Sequence, residues 1–170
     1  MAVKNEGKIF EDCLKKSINE NLIYFYRLKD STASFAGGQT SFAPKNDYDF
    51  IAFYKRTFFA MELKSTKQTS ISFQREKTHK GKMIKLSQIK GLLKAGKHEG
   101  IKAGLICNFR NTKNTYWLDI HDFKRFFDEC EKMSINEKDI INYGGVVIDQ
   151  KLKKVNYHYF IKELLDKLTD

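Results

Sequence analysis

A chain of 170 residues, 41% hydrophobic and 14% aromatic, is long enough to bury one sizeable core and too apolar to be disordered. Its net charge of +10 and pI of about 9.4 favour a polyanionic partner, and nucleic acid fits best. No apolar run approaches the ~20 residues of a membrane span, and MAVKNEGKIF carries charge where a signal peptide needs an apolar stretch. Cys13, Cys107 and Cys130 lie far apart, which excludes a disulfide framework and a paired-cysteine metal site. The expectation is a cytoplasmic protein with reduced thiols and no membrane partner.

Over residues 5–21, Phe10, Cys13, Leu14 and Ile18 recur at helical spacing with Glu11 beside the stripe, which predicts an amphipathic helix. LIYFYRL (22–28) is aromatic and reads as a strand. Residues 29–46 hold the only proline, a Gly-Gly pair and many small polar residues, so they read as a loop. YDFIAFY (48–54) and FFAMELKS (58–65) are strands joined by a short turn at 55–57, a hairpin. A polar, basic connector follows to Met83, then a helix over 86–96 with Leu86, Ile89, Leu92 and Leu93 on one face. AGLICNF (103–109) and NTYWLDI (114–120) read as strands, 121–130 and 135–144 as helices, and 144–150 as a short edge strand. The chain closes on an amphipathic helix over 157–168. The order predicts a single α/β domain, a mixed β-sheet flanked by helices.

The basicity is local. Between Lys64 and Lys102 stand eleven Lys and Arg against two acids, Glu76 and Glu99. This excess begins at an unusual spot. Asp49 heads one apolar strand, and Glu62 and Lys64 end the other. Residues two apart on a strand share a face, so Glu62 and Lys64 project together, and the hairpin brings Asp49 alongside. Two carboxylates on buried strands repel each other and resist desolvation. A divalent cation resolves the conflict, and hard oxygen ligands suit Mg²⁺ or Mn²⁺, with the Leu63 carbonyl as a further donor. Such a site fits metal-assisted phosphodiester hydrolysis, with Lys64 orienting water or neutralising phosphate. Lys67, Arg75, Lys77, Lys80, Lys82 and Lys85 would hold the nucleic-acid backbone beside it.

Asp…Glu-x-Lys on a β-hairpin, after a helix bearing a Glu, resembles the PD-(D/E)xK nuclease superfamily with its restriction endonuclease-like fold. GKIFEDCL, NDYDFIAFYKRTFFAMELKST, LSQIKGLLKAGKHEGIKAGLICNF and TYWLDIHDF resemble the RecU-type Holliday junction resolvases, over most of the chain. The resemblance implies a Mg²⁺-dependent homodimer that cuts two strands of a four-way DNA junction symmetrically. It implies metal binding at Asp49, Glu62 and Lys64, the helical Glu at Glu11, and a Gln near the site at Gln88. It departs in two places: the proline of the superfamily motif is absent, and the 29–46 segment is shorter than the stalk-bearing segment typical of the family.

Asp47 and Glu6 rival Asp49 and Glu11. Asp49 begins the apolar strand and has the better spacing to Glu62; Glu11 lies beside the helix's apolar stripe, where a surface salt bridge is an equal alternative to a site role. GLLKAGKH (91–98) fits a phosphate-loop pattern but lacks the following Ser or Thr and lies in a helix, so it is rejected. Trp117 and Tyr116 read as core. Two other readings stand beside the resolvase: a restriction- or repair-type endonuclease of the same superfamily, and a non-catalytic DNA-binding module.

Overall fold

The computed structural model describes residues 5–28, 34–36, 39–41 and 46–169; for 34–36 and 39–41 it describes the backbone alone. The chain is α/β, with a six-stranded mixed sheet between helices. Its strands are β1 (Tyr24–Arg27), β4 (Phe50–Tyr54), β5 (Thr57–Thr66), β7 (Ile101–Phe109), β8 (Asn114–Asp119) and β10 (Val146–Val147), hydrogen-bonded in that order. Only β5 and β7 run parallel, in register from Phe58↔Ile101 to Thr66↔Phe109. A parallel pair needs a long crossover. Here the crossover contains β6 (Ser70–Ser72), the basic connector and α2 (Leu86–Gly96).

Strand alternation sorts the core onto the two faces. Phe59, Met61 and Leu63 of β5 pack on α1 (Glu6–Lys16) through Phe10 and Leu14, and on α5 (Ile161–Thr169) through Leu164 and Leu165. Ala60 points the other way, towards Ile89 and Leu92 of α2 and Phe123 and Phe126 of α3 (Ile120–Glu129). Glu62 and Lys64 continue the Ala60 row, so an acid and an amine stand where the pattern reserves a core position. Trp117 and Tyr116 are buried, as expected of core residues. Gly104 makes room for that indole, since a Cβ there would lie 2.6 Å from the ring.

Several boundaries differ from expectation. The first helix ends at Lys16, where the Ser17 hydroxyl donates back to the Cys13 carbonyl at 2.7 Å. The connector contains β6, which pairs with β9 (Ser134–Asn136), so the helix expected from 135 becomes β9 followed by α4 (Glu137–Asn142). Pairing across sixty-odd residues leaves no local signal. The terminal helix starts at Ile161, because 156–159 form β12 (Asn156–Tyr159) against β11 (Gln150–Lys153), with Tyr159 buried as the last strand residue. Val146–Val147 form the expected edge strand on β8. In the 29–46 segment, β2 (Ser34–Ala36) and β3 (Gln39–Ser41) pair antiparallel; the stretches 29–33, 37–38 and 42–45 lie outside the described residues.

Candidate active site

The β4–β5 hairpin closes on Lys55 and Arg56, both at positive φ (45° and 65°), the backbone of a tight two-residue turn. That turn fixes the register Phe50↔Met61 at the other end, where β4 stops and β5 runs on for five residues. Asp49 sits at this open end. Its amide donates to the Met61 carbonyl at 3.2 Å, and its carbonyl accepts from the Leu28 amide at 2.8 Å. The backbone that presents the Asp49 side chain is therefore pinned from both neighbouring strands.

Glu62 is fully buried. Its Oε1 accepts hydrogen bonds from the Lys64 ammonium and from the Gln88 amide of α2, while its Oε2 is buried without any partner. Burial pushes the Glu62 carboxyl up to about 8; Lys64 opposes that shift and Asp49 adds to it. An acid in this state is poised rather than satisfied: an orphaned buried oxygen costs roughly 1–3 kcal/mol until something coordinates it. Gln88 is held in turn, its Oε1 accepting from the Lys85 amide at 2.9 Å, which aims the Nε2 at Glu62.

Asp49 and Glu62 offer the hard oxygen donors that Mg²⁺ takes from one or two carboxylates while keeping much of its own water. Carbonyls alternate sides along a strand. The Met61 carbonyl faces Asp49, so that of Leu63 points the same way, beyond the end of β4. Two carboxylates, one of them with a buried oxygen lacking a partner, and one carbonyl fit a divalent cation. Among the described residues no group of three or more His, Cys, Asp and Glu side chains is placed to hold a metal ion, so a cation here would take much of its shell from water and substrate.

A sequence model of "Recombination protein U" matches residues 14–163. The chain belongs to the RecU family. Its curated relatives include the SPbeta prophage-derived uncharacterized protein YotM of Bacillus subtilis (strain 168), 34% identical over 180 residues that cover 99% of this chain and 89% of YotM. Among solved structures it is similar to Archaeoglobus fulgidus Hjc, described as a Holliday junction resolvase from an archaeal hyperthermophile. That likeness has a TM-score of 0.49 and 17% identity, covering 84% of this chain and 92% of the other.

In this RecU-family chain the rival acids separate by position. Asp47 is exposed and packs against α2, whereas Asp49 acts electrostatically on Glu62 and on Glu11. Glu6 pairs with Arg110 at 3.5 Å. Glu11 pairs with Arg27 of β1 at 3.0 Å; burial raises its carboxyl, Arg27 opposes that, and Asp49 and Lys64 are near enough to contribute. Glu11 thus makes the salt bridge and also borders the Asp49–Lys64 end of the sheet.

The six basic side chains expected on nucleic acid divide. Lys67, Lys77, Lys80 and Lys85 are exposed and Lys82 is half-buried, all on the connector side of the site. Arg75 is the exception. Its guanidinium donates to the carbonyls of Phe127 (2.6 Å), Lys132 (2.7 Å) and Cys130, and it stacks 4.3 Å above the Phe127 ring. It binds the carbonyl-rich end of α3 and the turn beyond, where a cation is favoured by the helix dipole, and so is spent on structure.

Two residues missed in the sequence support the site. Gln74 accepts from the Leu86 amide at 3.0 Å and donates to the His79 carbonyl, joining the first turn of α2 to the connector. Gly91 lies on α2 directly against Asp47: a Cβ there would sit 2.3 Å from the Asp47 Cβ. This close approach seats α2 on the segment that carries Asp49. A glycine one turn after Gln88 inside a good helix was the available signal; for Gln74 there was none.

Proposed function

We propose that the chain is a Mg²⁺-dependent endodeoxyribonuclease that resolves four-way DNA junctions by paired phosphodiester hydrolysis. It would act in the cytoplasm as a homodimer that places one site on each of two strands. The observation that carries this reading is the buried Glu62 carboxylate. It has one oxygen without a partner, Asp49 beside it and Lys64 on it, at the open end of the sheet where the basic connector begins. Membership of the recombination protein U family supports a branched DNA substrate.

Asp49, Glu62 and the Leu63 carbonyl would hold the cation. When bound it supplies charge stabilisation at the phosphate and acidifies water. The protein does the rest. Lys64 neutralises the phosphate or orients the attacking water. Gln88 fixes the rotamer of Glu62, so the carboxylate is aligned before substrate arrives. Glu62 must be ionised to act, and with its carboxyl near 8 in the absence of a cation, proton release accompanies cation binding. Lys67, Lys77, Lys80, Lys82 and Lys85 contact phosphates without reading bases, which suits selection by shape.

Cleavage of a labelled synthetic four-way junction, beside linear duplex of the same sequence, tests this in Mg²⁺ and in Ca²⁺. Paired cuts on the junction alone, dependent on Mg²⁺ and lost in Asp49→Asn while junction binding persists, are expected. Full activity in Asp49→Asn would remove Asp49 from the site. Equal cutting of both substrates would replace the resolvase with a general or sequence-selective nuclease.

A further inference from the structure

On the opposite face of the sheet from Lys64, a cleft of about 270 Å³ opens between α1, the β7–β8 turn and the β11–β12 hairpin. Its walls are apolar and aromatic: Ile9, Phe10 and Tyr157, with Val155 at the hairpin tip left 86% exposed beside its mouth. Its rim is cationic, with Arg110 and Lys113. The Arg110 amide donates to the Thr66 carbonyl at 2.8 Å. Arg110 follows Cys107, the register partner of Lys64, by three residues, about 10 Å along the strand. The rim therefore lies at the same end of the sheet as Asp49, Glu62 and Lys64, where a strand crossing the site would turn over the edge.

We propose that this cleft takes one unpaired nucleotide of the DNA, its base against Ile9, Phe10 and Tyr157 and its phosphate at Arg110 and Lys113. The assignment rests on the nuclease reading for its substrate, but its chemistry is separate. Aromatic walls with cations at the mouth suit a base and its phosphate, since every base has a stackable face. Glu6 is the one acid of the rim, and it meets Arg110 only at 3.5 Å, too long for a good charge-assisted hydrogen bond. The guanidinium can therefore exchange Glu6 for a phosphate. Of the amides lining the cleft, Asn108 is already committed: it accepts from Ser65 at 2.8 Å and donates to Thr115 at 2.9 Å. Stacking on the aromatic walls therefore dominates over edge recognition by that amide, and stacking is tolerant of base identity. At a branch point the stack is interrupted, so a nucleotide there leaves the helix at lower cost than in linear duplex.

DNA carrying 5-iodouracil at the branch, photo-crosslinked to the full chain in Ca²⁺, tests this without requiring cleavage. Crosslinks are expected in the peptide holding Tyr157, from the junction and from single strands, at least fivefold above fully paired duplex. Arg110→Ala combined with Lys113→Asn should lower that yield at least fivefold, and Arg110→Lys should retain most of it. Asparagine tolerates the positive φ of 59° at Lys113, and melting the double variant checks its fold. Junction that is bound and cut without crosslinking there overturns the cleft alone, as does an equal yield from duplex. Equal crosslinking by free 5-iodo-deoxyuridine monophosphate would assign the cleft to a mononucleotide and overturn the DNA reading. A protein that neither binds nor cuts any DNA would overturn the nuclease reading and the cleft with it.

Discussion

The β4–β5 hairpin has a carboxylate at each end, and the two are provided for in opposite ways. At the turn end, Asp166 of α5 accepts from the Lys162 ammonium at 2.6 Å, the Lys55 ammonium at 2.7 Å and the Tyr54 hydroxyl at 2.8 Å. Those bonds, Lys162 foremost, hold its carboxyl well below the usual range. At the open end, Glu62 has more of its charge removed from water and fewer partners to replace it, so its carboxyl rises to about 8. A carboxylate that ties elements together is ionised and surrounded by donors. One that is buried and left an oxygen short is a functional candidate on physical grounds.

Replacing each acid by its amide should break the comparison most visibly. Glu62→Gln should abolish cleavage, a loss of at least about a thousandfold for a group placed on the reacting phosphate's cation. Without metal it should also flatten the pH dependence of stability. Folding raises the Glu62 carboxyl from 4.5 to about 8, so the folded chain binds the extra proton. Stability of the metal-free protein therefore falls as pH climbs from 4.5 through 8 and levels off above, by a few kcal/mol at most. The variant should melt higher than wild type at pH 9 in EDTA and close to it at pH 5. Asp166→Asn should cut junctions normally and lower Tm slightly. If Glu62→Gln melts with the wild-type pH profile, the poised acid is misassigned.

Gln88→Ala sharpens the account of how Glu62 is aimed. Deleting a partner that orients a metal-binding carboxylate typically costs 10–100-fold in metal affinity or activity. The expected result is a raised Mg²⁺ requirement for cutting, with junction binding in Ca²⁺ little changed. Gly91→Ala acts one step further away. Its methyl would collide with Asp47, so α2 must lift from the segment bearing Asp49. Overpacking of this kind costs about 1–3 kcal/mol. Urea unfolding should show that loss, and cleavage should fall by more than the unfolded fraction explains.

These effects grade with how far the sequence discloses their cause. Asp49, Glu62 and Lys64 were legible because period two along a strand and one tight turn are local, and a charge on a buried strand contradicts its surroundings. Gln88 was legible only through the family resemblance, since a glutamine on a helix is ordinarily a surface residue. Gly91 drew notice as part of a false phosphate-loop pattern, and its real role depends on a segment more than forty residues upstream. β6 escaped because three residues carry no periodicity and their partner β9 lies far along the chain. The aromatic run at 157–160 suited either a strand or the start of the last helix, and its hairpin partner 150–153 decided for the strand.

Arg75 and Lys82 give the finest contrast, since both were expected on the DNA and only Arg75 is committed to the protein's own carbonyls. Charge along a sequence does not say whether a guanidinium meets phosphate or the end of a helix. Arg75 spends its donors on the carbonyls of Phe127, Cys130 and Lys132. Arg75→Gln strands those carbonyls, so it should destabilise by about 1–3 kcal/mol and leave the salt dependence of junction binding alone. Lys82 makes no ion pair among the described residues. Lys82→Gln should keep stability within about 0.5 kcal/mol. If it meets a phosphate, each lost contact lowers the slope of log K against log salt by about 1. Urea melts and salt titrations of junction binding on the two variants should therefore cross over, each variant moving one measurement and leaving the other still. A shallower salt slope in Arg75→Gln with unchanged stability would return Arg75 to the DNA surface and leave the end of α3 to be held by other contacts, such as the Tyr143 hydroxyl on Glu129 and the Phe73 and Phe126 packing.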